Sequence, residues 1–282
     1  MNKRWSANIY IIISIAAGYL LSLAISAWDQ KMTPFVVNLL NIINIIVITV
    51  IPGIVFVCFN KTEFKGFFRK TASGSWWKFF LFTPVLWSSA MFLNMRVNVI
   101  LSKLGIEKIE QLPPSADTDA IFMGFLLTCV VAPLFEEIFY RGIILHLLKG
   151  YGKGAAIVIT ALLFALAHGS ISVFVSPLVF GLVLGYVTVR NGSVWPAIFM
   201  HFGCNLISWL LMTFETTQAL SIAISVATAI LGAAASIWGV IKLMKKDEII
   251  PGVLFQIWSY IKNPLWLPVV ANYTLTNFIN HG

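Results

Sequence analysis

The chain has 282 residues, of which 59% are apolar and only 11% charged, and it carries a formal net charge of +8. A soluble domain carries about 25% charged residues, so this composition, with a mean hydropathy of +0.89, excludes an ordinary soluble fold. The basic balance does not point to nucleic acid either. No basic helix or aromatic-basic motif accompanies it, and lysines and arginines in the loops of so apolar a chain serve membrane orientation and anionic headgroups.

In chain order, apolar runs of about 20 residues recur from end to end, which is the signal of membrane spans. Helices are expected, because lipid offers the backbone no hydrogen-bond partner and the alternation of a barrel is absent. The first run, 7–28, follows Lys3 and Arg4 but is too long for a signal-peptide core, and it is read as a retained span. Further spans are expected at 35–59, 76–101, 120–148, 154–170, 172–190, 194–214 and 218–243. Basic residues gather at alternate connections: Lys61, Lys65, Arg69 and Lys70, then Lys149 and Lys153, then Arg190, then Lys242, Lys245 and Lys246. The intervening loops are neutral or acidic, with Glu107, Glu110, Asp117, Asp119 and Glu215. The positive-inside rule then puts both termini in the cytoplasm. Residues 249–282, broken by Pro251, Pro264 and Pro268, read as an apolar interfacial tail. Cys58, Cys129 and Cys204 all fall in apolar runs with no C-x-x-C spacing, the pattern of buried free thiols.

The expectation is an all-α fold: a polytopic transmembrane helical bundle of about eight spans, residues 1–248 as one domain in the cell membrane, with its active site inside the bundle. Charges inside a span are costly and usually functional. Only Glu136 and Glu137, among the acidic residues, sit well inside an apolar run, with Arg141 one turn on. His168 ends "LLFALAH", and His201 and Asn205 share one helix face in "AIFMHFGCNLISW". Glu137 and Arg141, four residues apart, lie on one face and can pair. Glu136 is rotated about 140° from Arg141 and is left to face another neighbour. At about 1.5 Å per residue, Glu136 lies ~18 Å, His168 ~21 Å and Asn205 ~17 Å from the cytoplasmic ends of their spans. Any one of these residues alone would read as interhelical packing. Phe164, four residues before His168, reads as packing that could hold the imidazole, and Arg96 with Asn94 and Asn98 as support for the bundle. Two glutamates, two histidines and an asparagine at matching depth read as a site.

These residues also carry a resemblance. Glu136 to Arg141 fits E-E-x-x-x-R, Phe164 to His168 fits F-x-x-x-H, and His201 to Asn205 fits H-x-x-x-N. In this order, each on a span, the three motifs resemble those of the CPBP family, the CAAX proteases and bacteriocin-processing enzymes, over roughly residues 120–210. The resemblance implies an intramembrane endopeptidase with a cavity open to the cytoplasm, acting on a membrane-associated peptide or protein. It implies that Glu136 and His168 activate the attacking water, that His201 and Asn205 steady the oxyanion, and that Glu137 and Arg141 support them. The competing function is a non-enzymatic scaffold, regulator or bacteriocin self-immunity protein of the same fold, with a transporter third.

Two cofactor readings stay open. One zinc ion held by Glu136, His168 and His201 would give the three-ligand open site that catalytic zinc prefers. The absence of an H-E-x-x-H motif tilts the balance slightly to a metal-free glutamate site. The substrate's identity and the oligomeric state leave no mark in the sequence.

Overall fold

The computed structural model describes residues 32–69, 76–106, 118–168 and 170–214, together with isolated positions before and after them. The expected first span, the bulk of the eighth, the acidic loop 107–117 and the tail lie outside the described residues. Every regular element described is a helix.

Helix α1, Pro34–Gly66, opens with the Thr33 side chain accepting from the Val36 N–H and with proline in its first turn, where the missing donor costs nothing. A 3₁₀ turn, Trp76–Phe82, leads into α2, Thr83–Lys103. The long α3, Thr118–Tyr151, is followed by α4, Lys153–Leu166, α5, Val175–Asn191, and α6, Trp195–Thr213. Gly152 and Gly192, at φ 110° and 64°, make the sharp connections on either side of the α4–α5 pair.

Phe79–Lys103, Thr118–Tyr151 and Trp195–Thr213 are long and apolar enough to cross a bilayer. The expected spans 154–170 and 172–190 are shorter than the sequence suggests. Helix α4 has 14 residues, about 21 Å of rise against a hydrocarbon core of about 30 Å. The reason is the polar stretch between α4 and α5. Ser170 and Ser172 bond to each other through their hydroxyls at 2.8 Å instead of continuing a helix. Asn94 of α2 grips this turn from the side, donating to the Ser172 carbonyl and accepting from the Ser176 N–H. The support expected of Asn94 thus has a definite object, while Arg96 lies over the Phe92 ring.

Helices α4 and α5 form the most extensive pairing in the bundle, and they meet through small residues. A Cβ on Gly181 would lie 2.8 Å from both the Cα and the Cβ of Ala161. Without a hydrophobic drive between helices in lipid, such close backbone approach supplies the attraction. Gly181→Ala must push the pair apart, a cost of about 1–3 kcal/mol for an overpacked site. Gly53→Ala meets only the Ile143 side chain at 3.8 Å. Thermal melts in detergent should therefore show a clear loss for the first variant and none for the second.

Two apolar clusters fill the interior. One joins α1, α3 and α4 around Phe56, Ile143, Leu147 and Ala155; the other joins α2, α4, α5 and α6 around Leu86, Phe164, Leu184 and Met200. Tyr140 packs against both. On the outside, Leu81, Ile100, Phe122 and Leu210 are exposed, as suits a surface whose solvent is hydrocarbon. Cys129 and Cys204 are buried free thiols.

Candidate active site

Of the polar residues expected to meet, Glu137, Arg141 and His201 are in direct contact, and α3, which carries the first two, has an irregular course. Within α3 the glutamates occupy an α-helical stretch, Ala132–Glu137, between two π-helical stretches, Leu126–Val131 and Ile138–Ile144. Such wide turns are unusual in helices and concentrate at functional sites. Pro133 helps explain the first of them. In the π register the Ala132 N–H bonds to the Leu127 carbonyl, and the next residue has no N–H to give. The Thr128 carbonyl therefore loses its partner in the helix, and the Asn205 side chain takes the vacancy, Nδ2 donating at 2.8 Å.

The two glutamates have different surroundings. Glu137 is fully buried, and its Oε1 accepts from Arg141 Nη1 at 2.9 Å and from His201 Nδ1 at 2.9 Å. The Glu137–Arg141 pair expected from i, i+4 spacing is present, and His201 joins it from α6. Glu136 is only half-buried and has no hydrogen-bond or ion-pair partner among the described residues. It lies within electrostatic reach of His201, Glu137 and Arg141.

The histidines are fixed through one nitrogen each. His168, in the turn after α4, is exposed, and its Nδ1 lies 2.8 Å from the Phe164 carbonyl. A carbonyl only accepts, so this bond puts the proton on Nδ1 and leaves the neutral ring an unbonded Nε2 lone pair. His201 is buried, and by the same reasoning donates from Nδ1 to the Glu137 carboxylate. Phe164 stands among them all. The Arg141 guanidinium carbon lies 4.3 Å from its ring centre, the His168 ring meets it at 4.9 Å and the His201 ring at 5.7 Å, both edge-on. Phe164 is packing, as expected, but it packs the site itself. His146 lies apart, its ring against Phe56 and Phe67.

Glu137, Arg141 and His201, with the Phe164 and His168 rings packed against them, thus link the three motifs on α3, the α4 end and α6, and comparison with known proteins bears on the same stretch. Residues 118–207 match the family described as type II CAAX prenyl endopeptidase Rce1-like. This Rce1-like segment holds every residue of the cluster and agrees with the CPBP resemblance of the motifs. No curated protein and no solved structure matches the chain.

A zinc ion would need Glu136, His168 and His201 to converge. Among the described residues no three His, Cys, Asp or Glu side chains are gathered as a metal site. The donor set as arranged does not fit a three-ligand centre.

Sequence reading missed one contributor and the partner of another. Thr128 acts through its main chain, which no residue pattern reveals; Pro133 five residues later was the available signal. Asn94 was noticed, but its partner lies 78 positions away, at Ser172.

Proposed function

We propose that this chain is an intramembrane endopeptidase that hydrolyses a peptide bond of a membrane-associated peptide or protein, with water activated by Glu136 and His168. The observation that carries the reading is the contrast between the two glutamates: Glu137 is sealed and engaged by two donors through Oε1, whereas Glu136 is half-buried and has no hydrogen-bond or ion-pair partner among the described residues. A carboxylate spent on structure cannot also take a proton from water; a free one at the edge of the cluster can.

In the reaction, the water lies between Glu136 and the His168 Nε2 lone pair. Glu136 takes its proton as oxygen attacks the carbonyl carbon, and negative charge moves to the carbonyl oxygen. The amide of Asn205 has two N–H groups. One holds the Thr128 carbonyl, which orients the group, and the other is available to the oxyanion. His201 donates from Nδ1 to Glu137, so its Nε2 carries a proton for the oxyanion only in the imidazolium form, whose charge Glu137 balances. Donors placed where charge develops make a large contribution to acyl-transfer rates. Glu136 then returns its proton to the leaving amine.

The test is direct. The full chain reconstituted in lipid should cleave a quenched-fluorescent prenylated peptide ending in a CAAX sequence. In ¹⁸O-enriched water the new C-terminus should gain one labelled oxygen. Replacement of His168 by alanine should slow cleavage by roughly 10²-fold or more, the usual contribution of a positioned proton-transfer group. No cleavage of prenylated or unprenylated peptides by folded protein would overturn the assignment.

A further inference from the structure

A second polar feature lies at the end of the bundle where α3 finishes. A cavity of about 350 Å³ opens there, lined by Arg69 beyond α1, by Arg141, His146 and Lys149 of α3, and by Thr188 and Ser193 around the α5–α6 turn. No carboxylate is among the described residues that line it. Arg69 and Lys149 are exposed at its mouth, and Lys153 and Arg190 are exposed on the neighbouring helix ends.

Arg141, among the residues that line it, is only 1% exposed, and its Nε and Nη2 have no hydrogen-bond partner among the described residues, since Glu137 takes Nη1 alone. Unpaired donors on a buried guanidinium are costly, and native structures rarely leave them so. Nε and one Nη are also the two parallel donors that grip an oxyanion in a bidentate fork. Exposed cations and a buried guanidinium with unused donors thus line one cavity, a lining suited to one kind of ligand.

We propose that this cavity is a binding site for a phosphate-type oxyanion, either free phosphate or the phosphate of an anionic phospholipid headgroup. Cations converge on it from two different helix ends and from the middle of α3, which suits a tetrahedral, multiply charged group better than a planar one. Binding gives Arg141 its two missing acceptors while Nη1 stays on Glu137. Occupancy therefore stiffens the same guanidinium that holds the Glu137–His201 pair, without entering the catalytic cluster.

The experiment uses the full chain in a non-ionic, phosphate-free detergent. Inorganic phosphate should raise the melting temperature along a saturable curve, and potassium chloride of equal ionic strength should not. Arg69→Gln/Lys149→Gln, altered only at exposed positions, should need at least about tenfold more phosphate for the same shift; the two single variants serve if the double one fails to fold. Phosphatidylglycerol added to the micelles separates the sources. If it raises the melting temperature and removes any further response to phosphate, the headgroup is the ligand; if the phosphate response persists, the soluble anion is. A response to phosphate and to phosphatidylglycerol no larger than that to chloride, or unchanged in every variant, overturns the site.

Discussion

Glu136→Gln is expected to lower the cleavage rate by about 10²–10⁴-fold, the range contributed by a general base, and to leave the melting temperature unchanged. Both halves follow from its surroundings. The side chain has no hydrogen-bond or ion-pair partner among the described residues to lose, and it is only half-buried, so an isosteric amide disturbs nothing that holds the fold. Yet the amide cannot accept the proton of an attacking water. Rate and melting curve must be measured on the same preparation. A variant that keeps more than about a tenth of the activity, outside the range general-base loss allows, would remove Glu136 from the mechanism.

Glu137→Leu should behave in the opposite manner, unfolding more readily as well as losing activity. The carboxylate balances a guanidinium that is 1% exposed and accepts from His201 through the same oxygen. Removing one partner of a buried ion pair costs about 3–5 kcal/mol, chiefly because the other charge is stranded. For a chain of this size that corresponds to a fall of roughly 10 °C in melting temperature. Glu137→Gln keeps an acceptor for both donors but no charge, and should fall between wild type and Glu137→Leu. Glu137→Leu/Arg141→Met tests the cause, since replacing a whole buried pair by apolar groups is often neutral. Its stability should recover while its activity does not, because His201 still lacks its carboxylate. Equal melting temperatures for wild type and Glu137→Leu would show that the pair does not support the fold.

Much of this protein was legible before any coordinates. Apolar run lengths gave the helical class, because a backbone in lipid has few ways to satisfy itself. Spacing alone paired Glu137 with Arg141, since i, i+4 contacts are local and geometry within one helix is nearly fixed. The same arithmetic separated Glu136 from that pair. Three motifs on three runs singled out the segment 118–207, the one that matches the Rce1-like family model.

Only the tertiary structure decided the rest. The partners of His201 and Asn205 lie 64 and 77 positions away, and side-chain periodicity says nothing about which faces of distant helices meet. That Asn205 grips a main-chain carbonyl depends on a π turn beside Pro133, a backbone event with no side-chain pattern of its own. The two helices of the α4–α5 hairpin were legible but their facing ends were not, because hydropathy sums apolar character without registering that Ser170 and Ser172 hold a turn pinned by Asn94. The basic cavity joins Arg69, Arg141 and Lys149, which sequence reading had assigned separately to a loop, an ion pair and a helix end. Sequence determines what each helix can offer, because propensity, polarity and spacing are local. Which offers are taken up depends on packing, because only the folded bundle brings those groups within hydrogen-bond distance.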